Sequence, residues 1–453
     1  MTTFSIENFG CRATGADAAA LRSDLRAHGL ALVEEHERAD VVVLNTCTVT
    51  AAADSQAREA VHKIHRANPR ARIVVTGCYA QRAPEEIAQL AGVDLVVGNS
   101  HQTEIARLVC GSLEPSTLLH SAAHAQGSTG AFLSLSELDS EPMSLSRGPA
   151  KILTGDIFAQ AAVPVAPADL AETGRTRPIL KIQDGCNNRC SYCVIPFVRG
   201  RSRSLPPDAV IAEIRKLAEA GAKEVVLSGI NLGSYGRDLT PRASLIGTVR
   251  RILEETSLEQ LRFSSIEPQD VTEEFIALVA SSDRIAPHFH IPLQSGSDRI
   301  LRAMHRWYRA GHYAERVRLI RERAPQAAIG ADVIVGFPGE TEEEFHATAD
   351  FIERLPLTYL HVFSFSARPG TEAAKFSDRQ FVKAGAIRER ARFLRALGER
   401  KASAFRAAQF GRTVRALTLA RGGENWTEAL TGNYLKVKVA GRRPANEWCD
   451  AHF

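Results

Sequence analysis

No stretch of the 453-residue chain approaches the ~18 consecutive apolar residues that a membrane span requires, and the opening MTTFSIENFGC lacks the basic-then-apolar layout of a secretory leader. A cytoplasmic location without a membrane partner is therefore expected. In that compartment thiols stay reduced, so clustered cysteines among the eight present should bind metal rather than form disulfides. Strong net charge is also missing: the formal value is +4. Its distribution is uneven, however. From Lys383 to the end there are fifteen Lys and Arg against six Asp and Glu, which leaves the rest of the chain at −5. A basic end suits a polyanion such as RNA and equally suits a solvated helix face. What the chain does have is 44% hydrophobic residues over a length that accommodates two to four domains.

The first hundred residues place the apolar runs TFSIENF, DVVVLNTC, ARIVVTGC and DLVVGNS between helix-like stretches. Unbroken Val/Ile/Leu strands separated by helices indicate a small doubly wound domain whose parallel sheet is covered on both faces. Cys11, Cys47 and Cys78 each follow one of the first three runs, at the edge where such sheets bind ligands. Residues 112–171 are rich in Ser, Ala, Gly and Pro and read as a linker or insertion. Between 172 and 405, RPILKIQDG, KEVVLSGI, QLRFSSIEP, HFHIPLQS, AAIGADVIVG and YLHVFSFS read as six strands alternating with amphipathic helices. An incomplete parallel barrel follows, with its chemistry on the loops at the strand carboxyl ends. Residues 406–453 alternate with period two, as a small all-β module does. Its Arg412, Arg415, Arg421, Lys436, Lys438, Arg442 and Arg443 are candidates to face a phosphate backbone.

DGCNNRCSYCVIP follows the first barrel strand and holds Cys186, Cys190 and Cys193. A closed structural zinc site wants four ligands, and no His or fourth Cys sits close to this loop. Zinc completed by a distant residue and an iron-sulfur cluster both stay open on composition alone.

The CxxxCxxC spacing on the first strand of a parallel barrel resembles the radical S-adenosylmethionine (SAM) superfamily. That resemblance implies that three cysteines hold three irons of a 4Fe-4S cluster and that the fourth iron takes the amino and carboxylate groups of SAM, whose reductive cleavage yields a 5′-deoxyadenosyl radical. It also implies that Tyr192 packs beside the SAM adenine, that Ser228 and Gly229 of LSGINLGSYG contact its amino group, and that Asp332 and Gly336 of GADVIVGFPGET line its adenosine. No catalytic side chain beyond the cluster ligands is expected, since hydrogen abstraction by a radical needs no general acid or base.

End to end, the chain resembles the methylthiotransferases: a cysteine-bearing doubly wound domain, a radical-SAM barrel and the β module called TRAM. The resemblance implies a second 4Fe-4S cluster on Cys11, Cys47 and Cys78, with an open iron for the sulfur that one SAM methylates. NTCTVT, TGCYAQ, KIQDGCNNRCSYCVIPFVRGRSRS, FSSIEPQD and HFHIPLQSGSD look most like the subgroup acting on carbon 2 of N-threonylcarbamoyladenosine at tRNA position 37. Enzymes for isopentenyladenosine tRNA or a ribosomal-protein aspartate are the alternatives, as is a non-enzymatic RNA-binding protein with structural metal sites. The implied partners are tRNA, a flavodoxin- or ferredoxin-like electron donor and a sulfur donor that the sequence does not identify. Arg199, Arg201 and Arg203 of RGRSRS are candidate phosphate contacts, or partners of SAM carboxylate or cluster sulfur.

Two features depart from the family pattern. Thr14 stands where relatives carry an Asn three residues after the first cysteine, and the β module looks short. Cys110 and Cys449 fit neither triad and read as structural or surface residues. His288 and His290 alternate along a strand and read as packed barrel positions, and GETEEEF reads as the start of a helix.

Overall fold

The computed structural model describes residues 1–111, 149–164 and 176–453. They form two compact units, Met1–Pro167 with Val194–Arg201, and Ala168–Cys193 with Ser202–Phe453.

In the first unit β1 (Thr3–Asn8), β2 (Ala31–Leu32), β3 (Val41–Thr46), β4 (Arg72–Gly77), β5 (Val93–Gly98) and β6 (Lys151–Leu153) make one sheet. Its order is β2-β1-β3-β4-β5-β6, and every neighbouring pair is parallel. The VVVLNT run of β3 is buried at every position because the sheet has two covered faces. Val41 and Val43 pack with Phe4, Val74, Leu95 and Leu25 on one side. Val42 and Leu44 pack with Ile73, Val75, Val61 and Ile64 on the other. Strand order reverses between β1 and β3, the switch point where open sheets of this kind leave a crevice beyond their carboxyl ends.

Lys151–Leu153 lies inside the segment expected to be a linker, yet it pairs with β5. Three residues carry too little periodicity to announce a strand. The remaining linker stretches, 112–148 and 165–171, lie outside the described residues, as do residues 172–175.

The second unit contains the six expected barrel strands: β7 (Ile179–Asp184), β9 (Glu224–Gly229), β10 (Gln260–Phe263), β11 (His288–His290), β12 (Ala328–Val335) and β13 (Tyr359–Ser364). All their pairings are parallel. Between β10 and β11 the sheet continues through backbone bonds from Leu261 N to Arg284 O and from Ala286 N to Leu261 O, both 2.8 Å. The short β8 (Arg203–Ser204) runs antiparallel along β7, and among the described residues no strand bridges it to β13, so the barrel is open. A capping box on Thr341 and Glu344 starts the helix Glu342–Arg354, as GETEEEF suggested.

Residues from Thr413 form β14 (Thr413–Gly422), β15 (Trp426–Thr431), β16 (Lys436–Ala440) and β17 (Trp448–His452), an antiparallel sheet of order β16-β15-β14-β17. It is anchored to the barrel through Arg262, which is fully buried. The guanidinium donates to both oxygens of buried Glu224 at 2.7 and 3.0 Å and to the carbonyl of Gly432 at 2.8 Å. At the margin, Arg415 stacks 3.9 Å over Trp448 and pairs with Glu259 at 2.6 Å.

Candidate active site

The loop that follows β7 is held from both ends. Gln183, buried on that strand, donates to the carbonyls of Asp184 and Gly185 at 2.9 and 2.8 Å and to Ser202 Oγ at 3.0 Å, while its own carbonyl accepts from Asn231 N at 2.7 Å. Farther on, Ser191 Oγ donates to the carbonyl of Ala303 at 2.8 Å and Ser191 N to that of Met304 at 3.1 Å. The loop is thereby fixed by strand ends distant in sequence. Its three thiols are half-buried. Asn188 N lies 3.4 Å from Cys186 Sγ and Asn231 Nδ2 lies 3.9 Å from it.

Arg306 reaches Cys190 Sγ at 3.3 Å and is paired with Glu267. Burial pushes the Cys186 thiol up to about 11 and raises Cys190, with Arg306 opposing the rise at Cys190. Three half-buried sulfurs, two of which resist ionisation on their own, are a donor set that a thiolate-binding centre of high charge stabilises, and the set fits an iron-sulfur cluster.

A second set of three cysteines lies in the first unit. Cys47 and Cys78 begin directly after β3 and β4, and Cys11 lies three residues beyond β1. Both strand-end thiols are buried, whereas Cys11 is exposed. Gly10 lets the first loop approach: at φ +111°, a Cβ there would lie 2.6 Å from Cys47 Cβ and 3.0 Å from its Sγ. The Cys47 thiol is pushed up to about 12 by burial, reinforced by Cys78 and Cys11. Asn99 donates to Cys78 Sγ at 3.6 Å. Thr14 Oγ1 donates to the Cys11 carbonyl at 2.8 Å, and Asn45 donates to the carbonyl of Thr14 at 2.8 Å. Thr14, where the resemblance expects an Asn, thus braces the loop that carries Cys11.

The residues nominated around SAM are placed as follows. Tyr192 packs its ring edge-on to Phe337 at 6.5 Å. Ser228 is buried on β9, and Gly229 ends that strand where a Cβ would lie 2.9 Å from Gln183 Oε1. Gly336 takes φ +78° and its N–H bonds Glu340 at 2.7 Å; a Cβ there would meet Ile387 at 2.4 Å. These contacts shape the strand ends. Asp332 lies between His290 and His361, at 3.1 and 3.2 Å. Burial would raise its carboxyl, yet the two imidazoles hold it well below the usual carboxylate range.

Two of the nominated cations are corrected. Arg199 is 2% exposed and its guanidinium meets the fully buried carboxylate of Asp17 at 2.7 Å, inside the first unit and not on a phosphate-facing surface. Arg203 is buried on β8, 3.6 Å from Asp184. Both lie in an RGRSRS string whose density of charge suggested exposure, and the folded chain uses alternate arginines as internal counter-ions. Arg201, Arg412, Arg415, Lys436 and Lys438 are exposed. Arg421, Arg442 and Arg443 line a concavity with Trp426, and Lys438 lies 4.4 Å over the Trp426 ring. Arginines beside an open indole offer phosphate and base contacts together. Arg306, Glu267 and Asp17 went unnoticed in the sequence, because nothing local distinguishes an arginine that meets its cysteine 116 residues away.

Residues 3–98 match the uncharacterized protein family UPF0004 and residues 180–352 the radical SAM superfamily. The threonylcarbamoyladenosine tRNA methylthiotransferase MtaB of Aquifex aeolicus is 37% identical, covering 96% of both chains. MtaB of Bacillus subtilis is 35% identical over 97% of this chain and 91% of its own. The tRNA-2-methylthio-N(6)-dimethylallyladenosine synthase of Syntrophobacter fumaroxidans is 36% identical over 83% and 76%. Among solved structures, the radical SAM methyltransferase TsrM of Kitasatospora setae has a TM-score of 0.56 at 17% identity, covering 82% and 77%, and so shares the fold.

Proposed function

The chain belongs to the radical-SAM tRNA methylthiotransferases, and from that premise we propose that it converts carbon 2 of N-threonylcarbamoyladenosine at tRNA position 37 to the methylthio derivative, using two SAM and two 4Fe-4S clusters. The observation that carries the reading is that three free cysteines at strand carboxyl ends occur twice, once in each unit. The threonylcarbamoyl substrate is supported by likeness to MtaB enzymes over 92–97% of this chain, against 82–92% for the dimethylallyl enzymes. Membership of an enzyme family argues against the RNA-binding protein with structural metals. The same reading takes 1–111 as the second-cluster domain, 172–405 as the radical-SAM core and 406–453 as the RNA-binding module.

When bound, the cluster on Cys186, Cys190 and Cys193 supplies, with SAM, a 5′-deoxyadenosyl radical, and the cluster on Cys11, Cys47 and Cys78 carries the sulfur to be transferred. The chain's own part is positional. Gln183 and Asn231 set the loop, Arg306 places positive charge against Cys190, and Glu267 balances it. In the other unit Arg199 lies close enough to Cys47 and Cys78 to favour their thiolates, with Asp17 holding the guanidinium in place.

The test is mass spectrometry of tRNA nucleosides from cells with and without the gene. Loss of methylthio-threonylcarbamoyladenosine, with the unmodified precursor accumulating, is the expected result. Loss of the dimethylallyl derivative in its place would move the assignment to that substrate. A second expectation concerns the β module: Arg412→Ala with Lys438→Ala flattens the dependence of log affinity for tRNA on log salt by about 1.5 in slope, because each lost phosphate contact contributes roughly 0.7 to 0.9. An unchanged slope would take these two residues out of the interface.

A further inference from the structure

We propose that His290, Asp332 and His361 form a binding site for one divalent first-row cation in the open barrel, separate from the six cluster cysteines. The three residues come from β11, β12 and β13, on the face of β12 opposite the fully buried Ala331, Val333 and Val335. Asp332 Oδ1 lies 3.1 Å from His290 Nε2 and 3.2 Å from His361 Nδ1, and all three donor atoms lie within 4.8 Å of one another. Ligands bonded to one ion at about 2.0 to 2.2 Å stand roughly 2.9 to 3.5 Å apart when cis, so the observed separations are those of neighbouring ligands.

The state of His290 is the independent observation. It is 8% exposed, and its Nδ1 lies 2.5 Å from Ser265 Oγ. Its Nε2 nevertheless has no hydrogen-bond partner, although a carboxylate oxygen lies 3.1 Å away. With Nδ1 taken by the Ser265 hydroxyl and Nε2 unpartnered beside a carboxylate oxygen 3.1 Å away, the nitrogen and the oxygen are spaced to share one cation. A hydroxyl on the second ring nitrogen is the support that metal-bound histidines usually have, fixing the ring and its tautomer.

Two imidazoles and one carboxylate suit Mn, Fe, Co, Ni or Zn as divalent ions, and they leave coordination positions for water or for an oxygen of a bound molecule. Access is available, since the His361 side chain is 51% exposed. The resemblance assigned Asp332 to the adenosine of SAM, and an assay without SAM separates the two roles.

The experiment titrates Mn²⁺ into the anaerobic, cluster-loaded full-length protein, without SAM or tRNA, and follows free Mn²⁺ by its electron paramagnetic resonance signal. Mn²⁺ is chosen because it favours nitrogen and oxygen over thiolate and leaves the clusters intact. About one Mn²⁺ per chain should bind saturably, and His361→Ala and His290→Gln should each weaken binding by at least about tenfold while cluster absorbance is kept. His361 is half exposed, so its variant tests the site even where the His290 substitution disturbs the barrel. Absence of a saturable site in the wild type, or equal affinity in the His361 variant, overturns the proposal. The nucleoside assignment stands or falls separately, since nothing in this titration depends on SAM or tRNA.

Discussion

Cys190→Ala is expected to abolish SAM cleavage and to remove about four of the roughly eight irons proposed per chain, whereas Cys47→Ala is expected to lose a similar number of irons, keep cleavage and lose methylthio transfer. The expectation rests on where the sulfurs lie. Cys190 sits in the β7 loop with Arg306 at 3.3 Å, and Cys47 follows β3 in the other unit. Each triad has no spare sulfur: Cys110 and Cys449 belong to neither, one being exposed on a helix end of the first sheet and the other packed in the β module. Loss of one ligand therefore leaves two. 5′-Deoxyadenosine and S-adenosylhomocysteine, measured together with iron content, resolve the outcomes. Loss of 5′-deoxyadenosine in both variants would contradict separate duties for the two triads, and S-adenosylhomocysteine absent from the wild type would point to sulfur insertion without methylation.

Arg262→Met is expected to destabilise the second unit by about 3 to 5 kcal/mol, the usual cost of leaving a buried partner charge uncompensated. Glu224 is fully buried, and Arg177 at 3.1 Å would be its remaining cation. The β module also loses its anchor at the carbonyls of Gly432 and Thr431. Urea unfolding should show a lower midpoint, with early proteolysis after about residue 405. Adding Glu224→Gln to Arg262→Met should restore much of the loss, because the isolated charge is then gone. A midpoint unchanged in the single variant would refute the anchor.

The same pair gives the wild type an acid limit. Burial opposes ionisation of Glu224, but Arg262 and then Arg177 hold its carboxyl below its ordinary value of 4.5. Its contribution is therefore complete above that ordinary value and is lost as pH falls through the lower folded one.

Much of this was legible in the chain because the signals were local. The VVVLNT and RIVVTG runs specify strands buried on two faces, and a cysteine at the end of each is placed by the strand itself. CNNRCSYC carries its spacing in eight residues. What was not legible depends on pairs far apart in sequence. Arg199 and Arg203 looked like surface charge, and their partners Asp17 and Asp184 carried no local mark. His290 was read as a packed barrel residue and is packed, yet its juxtaposition with Asp332 and His361 exists only once three strands align. His288 fits the packing reading directly, stacked 4.4 Å from Tyr434 with its Nε2 2.7 Å from Tyr359 Oη.

The first unit is not continuous in sequence: residues 194–199 pack Val194 and Val198 against Cys78, and Arg199 supplies the counter-charge for Asp17. During synthesis this unit therefore cannot finish folding when its last strand emerges. It waits until residue 201 has cleared the ribosome, by which time the whole CNNRCSYC loop has also emerged. A fragment ended at residue 111 or 171 would leave a carboxylate stranded in an apolar interior, so the smallest self-sufficient version of the first unit includes the chain through Arg201.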